Sequence, residues 1–162
     1  MTEKQYNELV HLYADNVFRF VVKNIRQAED ARDIVQSVYE KLWIHRDKVE
    51  PLRAKSWLFT VAYNGLIDYL RKNKRISFEE SLPESVTSSG YGNKVLQEQL
   101  QAALSQLNEI QRSLVMLKDY EGYSYEEIGK ITGLQESQVK VYLHRARQKL
   151  RNILVSTEQV FE

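Results

Sequence analysis

The side chains best able to bind a ligand are the five cations between Gln138 and Arg151, a run without an acidic residue. Arg and Lys donate to guanine edges, Gln can pair with adenine, and Val can contact a thymine methyl group. The residues that this run offers to a DNA duplex are Ser137, Gln138, Lys140, Val141, His144 and Arg145, and Arg147 fits a phosphate contact. A solvated cationic face is the alternative interpretation, since charge runs usually lie at surfaces.

Two short helices joined by a tight turn must position this basic run. Ser124 and Glu127 have the spacing of a capping box, which predicts the start of the first helix. Gly133 is suited to a left-handed helix end. Apolar residues then recur every three or four positions and predict one buried face: Val139, Leu143, Ala146, Leu150 and Ile153. Together these features predict a helix-turn-helix, whose second helix enters the major groove.

A helix predicted over residues 57–75 combines aromatic and basic side chains in a way that suits single-stranded nucleic acid. It carries Trp57, Phe59, Tyr63 and Tyr69 and ends in the basic run 71–75. Bases stack on aromatic rings while cations contact phosphates. Cations at a helix C-terminus also complement the helix dipole, so a purely structural role remains open.

Composition narrows the fold and the function classes. The 162 residues include two prolines, six glycines and no cysteine, and the net charge is +1. Long helical periodicities with few Pro and Gly predict an all-α protein. The absence of cysteine excludes a disulfide framework, and no nucleophile, metal-ligand or phosphate-loop pattern appears, so we predict no cofactor, no metal and no enzyme activity. The polar N-terminus predicts neither a signal peptide nor a membrane span.

An acidic stretch rich in Ser and Gly divides the chain. Residues 76–93 lack helical periodicity, and residues 76–100 carry one base against four acids. The predicted organisation is therefore two small helical domains, at 1–75 and 94–155, joined by a flexible acidic linker at 76–93. The second domain contains the predicted helix-turn-helix.

Four stretches resemble, in the family's order, the extracytoplasmic-function (ECF) class of bacterial sigma factors in the sigma-70 family: residues 28–43, 53–75, 107–134 and 137–151. The resemblance implies that the first domain, like sigma region 2, opens and reads the minus-ten promoter element. It implies that the second domain, like sigma region 4, reads the minus-thirty-five element, and that the base contacts fall on Lys140, Val141, His144 and Arg145.

The same resemblance assigns roles to residues of the first domain. Contacts with the minus-ten element fall on Pro51, Arg53, Lys55, Trp57, Tyr63, Asn64, Asp68 and Arg71. Contacts with the polymerase fall on Arg32, Asp33, Gln36 and Glu40. The loop at 47–55 matches the family's pocket for a base flipped out of the non-template strand.

The resemblance thus implies a cytoplasmic sigma factor that binds core RNA polymerase, promoter duplex and the melted strand, without inserting into a membrane. It also implies an anti-sigma factor as a partner. We expect that such a partner would silence the chain by clamping the domains together so that Lys140 and Arg145 are covered. The alternative function is a dimeric helix-turn-helix repressor or activator, which would read a symmetric operator and leave the polar face of residues 32–40 without a role.

Overall fold

The structure is a computed structural model that describes residues 1–74 and 91–160. Its helices are α1 Glu3–Ile25, α2 Ala28–Ile44, α3 Ala54–Lys74, α4 Tyr91–Ser105, α5 Glu109–Val115, α6 Tyr125–Thr132 and α7 Glu136–Val160. A 3-10 turn at Pro51–Arg53 precedes α3, and a π-helical segment at Met116–Tyr120 continues α5. These two ranges contain no strand, and the all-α prediction is confirmed. Residues 76–90 of the predicted flexible linker lie outside the described residues, and residues 91–93, predicted as linker, belong to α4.

Helices α1–α3 form the first module, a three-helix bundle. Thr2 and Gln5 form a capping box that starts α1, and Arg26 ends α1 in a left-handed conformation at φ 61°. Helix α3 begins at Ala54, three residues before the predicted start, because the 3-10 turn leads directly into it. Phe20, Leu42 and other core side chains are completely buried between the three helices.

Helices α4–α7 form the second module, and its turns follow the sequence signals closely. The Ser124–Glu127 capping box starts α6, and Gly133 ends α6 in the left-handed region at φ 79°. Gly129 has a role that the sequence did not reveal. A Cβ atom at Gly129 would stand 2.9 Å from the carbonyl oxygen of Leu134, so a larger residue would push the turn of the helix-turn-helix outward.

The two modules pack against each other in the described ranges, with α3 against α6 and α1 against α5. The ring centroids of Phe59 and Tyr123 lie 5.4 Å apart. A guanidinium nitrogen of Arg19 lies 2.6 Å from a carboxylate oxygen of Glu121, whose side chain is only 2% exposed. The π-helical segment leads directly into Glu121 and Tyr123, and the backbone N–H groups of these two residues bond back to Met116 and Leu117.

A buried polar cluster also joins the modules. The Asn24 side-chain oxygen accepts hydrogen bonds from Arg112 at 3.2 Å and from the Ser113 hydroxyl at 3.3 Å. Arg112 also donates to the carbonyl oxygen of Leu107. Burial lowers the pKa of Arg112, because the charged guanidinium loses its contact with water. A buried cation of this kind depends on its remaining hydrogen-bond acceptors.

Replacing Asn24 with alanine should therefore destabilise the chain by about 1–3 kcal/mol, since it leaves two buried donors without this acceptor. Urea denaturation would measure the loss. The matched control is Asn7→Ala, an exposed change of the same type in the same helix, which should alter the free energy of unfolding by less than about 0.5 kcal/mol. Equal stability of the two variants would contradict the role assigned to the cluster.

Candidate nucleic-acid interface

Helix α7 presents its predicted reading face to solvent. Ser137, Gln138, Lys140, Val141, His144 and Arg145 are all exposed. On the opposite side, Val139, Leu143 and Ala146 are completely buried against the second module, as the apolar spacing predicts. The helix is thus fixed by its core face while six polar or small apolar side chains remain accessible. Contact of these side chains with bases stays a prediction.

Two of the predicted reading residues also make contacts within α7. The Gln138 side-chain oxygen accepts a hydrogen bond from the backbone N–H of Gln135 at 3.0 Å. This bond supplies half of a capping box, which compensates for the weak capping ability of Gln135 itself. Lys140 lies 3.5 Å from Glu136, one helical turn earlier. Both contacts are exposed, so a duplex could replace them at little cost.

Arg147, predicted to contact a phosphate, instead pairs with Asp119 of the π-helical segment. The two nitrogen–oxygen distances are 2.7 and 3.4 Å. This hydrogen bonding raises the pKa of Arg147, and Tyr125 adds to the rise. The pairing ties α7 to the preceding helices. Nothing in the sequence indicated Asp119 as a partner, because 28 residues separate the two.

The predicted minus-ten residues fall into two groups. Pro51, Arg53, Asn64, Asp68 and Arg71 are exposed. The last three recur along one face of α3, and the first two flank Leu52, which is 97% exposed. The sequence prediction omitted Leu52, although an apolar residue beside a proline in a predicted loop was a usable signal. A protruding apolar side chain of this kind can wedge against a base.

The second group is less accessible. The Lys55 ammonium lies 5.0 Å from the ring centroid of Tyr123, a residue of the second module. Tyr63 is only 8% exposed, and burial raises the pKa of its phenol. Trp57 is half-buried, with its ring 6.2 Å from that of His45. Packing of the modules therefore engages Lys55, one of the residues predicted to hold a single strand.

The packing does not cover the duplex-reading helix. Lys140 and Arg145 both remain exposed, so the expectation that closure would hide them is wrong for this arrangement. The packed second module instead engages Lys55 of the predicted single-strand surface. The main contacts between the modules are made by α6 on α3 and by α5 on α1.

The predicted polymerase-binding residues lie together on the outer face of α2. Arg32, Asp33, Gln36 and Glu40 are all exposed, and Gln36 donates to Glu40 at 3.3 Å. Beside them runs a shallow groove between α2 and α3, in whose wall the Tyr69 hydroxyl donates to Asp30. Burial and this hydrogen bond raise the pKa of Tyr69 to about 12. This hydrogen bond holds α3 against α2.

Residues 1–74 and 91–160 contain no cluster of three or more His, Cys, Asp or Glu side chains that could hold a metal ion. Within those limits, every helix is too short or too polar to cross a bilayer.

Comparison with known proteins places these features in a family. The family model described as Sigma-70 region 2 matches residues 9–76, and the model described as Sigma-70, region 4 matches residues 97–150. The ECF RNA polymerase sigma factor SigL of Mycobacterium tuberculosis is 32% identical over 148 residues, covering 86% of this chain and 82% of SigL. The chain belongs to the ECF RNA polymerase sigma factors. The resemblance inferred from the sequence is confirmed.

Other ECF sigma factors match over similar ranges. SigM of Bacillus subtilis is 29% identical over 153 residues, which cover 90% of this chain and 92% of SigM. SigE of Mycolicibacterium smegmatis is 33% identical over 158 residues, which cover 92% of this chain. This ECF sigma factor spans 61% of the length of that SigE.

Two solved sigma factor structures share the fold. RpoE of Bartonella quintana, in complex with the anti-sigma factor NepR, matches with a TM-score of 0.81 at 25% identity, covering 93% of this ECF sigma factor and 97% of RpoE. CnrH, in complex with the cytosolic domain of CnrY, matches with a TM-score of 0.73 at 21% identity, covering 96% and 90%. The second match bears on the fold alone.

Proposed function

We propose that this ECF sigma factor binds core RNA polymerase and directs promoter recognition, DNA melting and transcription initiation. The observation that carries the proposal is the exposed basic face of α7, held by a complete helix-turn-helix in a chain that also matches sigma region 2. The net charge of only +1 limits unspecific binding. Attachment to polymerase would let two modest DNA contacts act bivalently.

Each module has its own part in this proposal. The second module reads the minus-thirty-five duplex through Ser137, Gln138, Lys140, Val141, His144 and Arg145. The first module holds the melted non-template strand through the loop at 47–55 and through Trp57, Tyr63, Asn64, Asp68 and Arg71. Stacking of unpaired bases on aromatic rings offsets the cost of opening the duplex, which amounts to a few kcal/mol.

The packed modules suggest how the free chain is kept from melting DNA. Lys55 lies over the Tyr123 ring while α6 packs against α3, so the modules must separate to release Lys55 when polymerase binds. An anti-sigma factor would act by stabilising the packed arrangement. RpoE of Bartonella quintana was solved with a bound anti-sigma factor, which supports this form of regulation here.

In this proposal the chain breaks and forms no covalent bond, and it works in the cytoplasm, where the polymerase is. Its relatives are sigma factors rather than enzymes. The dimeric repressor or activator is not favoured, because it gives no role to a region 2 module with four exposed polar side chains along one face of α2.

The proposal can be tested by measuring how substitutions on the exposed face of α2 change the affinity for core polymerase. Replacing Asp33 and Gln36 together with alanine should weaken binding about tenfold or more, as expected for two central contacts of an interface. The measurement is a fluorescence competition titration of the labelled chain against purified core polymerase. Lys4→Ala with Glu8→Ala, at exposed positions of α1, is the matched control and should change the affinity by less than about twofold. No measurable affinity of the unmodified chain would overturn the proposal itself.

A further inference from the structure

One aromatic ring in the second module contacts lysine side chains from two other elements. Tyr125 is the first residue of α6 and is half-buried. The Lys118 ammonium lies 4.8 Å from its ring centroid, and the Lys140 ammonium lies 5.6 Å away. Lys118 belongs to the π-helical segment and Lys140 to α7, so the ring joins three parts of the helix-turn-helix.

We propose that Tyr125 is a positioning residue for minus-thirty-five binding, whose ring holds Lys118 and Lys140 at the edge of the reading face where duplex phosphates pass. This inference rests on the proposed function and deepens it. It adds two residues, Lys118 and Tyr125, to the interface predicted from the sequence.

The cation–π contacts with Tyr125 favour phosphate binding by the two lysines, because they restrict the lysine side chains before DNA binds. A free lysine side chain has four rotatable bonds and loses much of that freedom when it binds a phosphate. A cation held over a ring has already lost part of the freedom, and the ring leaves the ammonium hydrogens available to an anion. Pre-organisation of this kind strengthens binding without any new contact.

The surroundings of Tyr125 support the same role. The capping box of Ser124 and Glu127 fixes the backbone at the start of α6, so the ring has a rigid base. Two acids lie nearby: Glu136, 3.5 Å from Lys140, and Asp119, which is bound to Arg147. Asp119 thereby occupies Arg147, which leaves the two lysines rather than Arg147 to contact a phosphate beside Tyr125. Glu136 is exposed and competes with a phosphate only weakly.

The test compares a change that keeps the ring with one that removes it. Holoenzyme is assembled from core polymerase and the full chain, and the probe is a duplex that wild-type holoenzyme selects from a random-sequence pool. Tyr125→Phe should bind within about twofold of wild type, because the ring remains. Tyr125→Leu should bind about five- to tenfold more weakly, because two lysine side chains must then be immobilised when the duplex binds.

The same substitutions in a Lys118→Ala, Lys140→Ala background separate positioning from simple packing. There, Tyr125→Leu should weaken binding by less than about twofold, since the ring has no lysine left to hold. The inference would be overturned if Tyr125→Leu weakened binding as much in this background as in the wild type. It would also be overturned if Tyr125→Phe and Tyr125→Leu weakened binding equally. Either result would leave the proposed function standing. Failure of wild-type holoenzyme to form or to select any duplex would overturn both.

Discussion

Covalently joining the two modules should block promoter opening, and releasing the joint should restore it. The variant carries Arg19→Cys and Glu121→Cys, at the ion pair that bridges the modules. The chain contains no other cysteine, so a bifunctional maleimide with a disulfide in its spacer would react at these two sites. We expect open-complex formation by the reconstituted holoenzyme to fall by more than about tenfold, limited by the fraction left unjoined.

The physical reason is the position of the predicted single-strand surface. Lys55 lies over the Tyr123 ring of the second module, so its ammonium cannot contact a strand while the modules are packed. Contact with DNA requires Lys55 to be free, and the packed and DNA-bound arrangements therefore exclude each other. The affinity of a ligand that binds only the open form is lowered by the free energy that stabilises the closed form.

Two comparisons make the experiment decisive. Cleaving the spacer with a reductant should restore activity in the same sample, which excludes damage by the substitutions themselves. A second variant, Lys4→Cys with Glu8→Cys, places the same spacer within exposed α1 and should leave activity unchanged. Open complexes that form equally well before and after cleavage would show that the modules need not separate.

Replacing Arg145 with alanine should have the second large effect. Arg145 is exposed in the middle of the reading face and is not paired with Asp119 as Arg147 is. A bidentate contact of arginine with guanine contributes about 1–3 kcal/mol, so holoenzyme should bind its selected duplex about tenfold or more weakly. Preference for one base pair of the minus-thirty-five element should also relax.

The matched variant is Lys149→Ala, which removes an exposed cation one turn further along the same helix. A phosphate contact carries no sequence information, so its loss should weaken all duplexes alike and reduce the salt dependence of binding by about one unit of slope. Selection from a pool with a randomised upstream element measures the base preference, and titration of the selected duplex at several salt concentrations measures the salt dependence. If the two variants select the same sequences as wild type, Arg145 reads no base.

Local signals in the sequence were sufficient to predict the helix-turn-helix. The Ser124–Glu127 capping box and the left-handed end at Gly133 depend on residues three or fewer positions apart, and both are present in the structure. The buried face of α7 follows from helical periodicity in the same way. Gly129 was missed because its constraint, a close approach to Leu134, exists only once the turn has formed.

Contacts between distant residues were beyond the sequence. The ion pair of Arg19 with Glu121 joins residues 102 positions apart, and the cluster of Asn24 with Arg112 joins residues 88 apart. Arg, Glu and Asn are common on helix surfaces, so no sequence pattern distinguishes these paired residues from solvated ones. Tyr63 was predicted to stack on a base, but its side chain is only 8% exposed in the folded chain.

The most direct measurement is run-off transcription with purified core polymerase, with and without the chain, on a template that carries the duplex selected by the holoenzyme. We expect a discrete transcript from that promoter only when the chain is present, and its loss when the upstream element is scrambled. Transcripts that are the same with and without the chain, or a chain that never joins the polymerase, would contradict its assignment as an initiation factor.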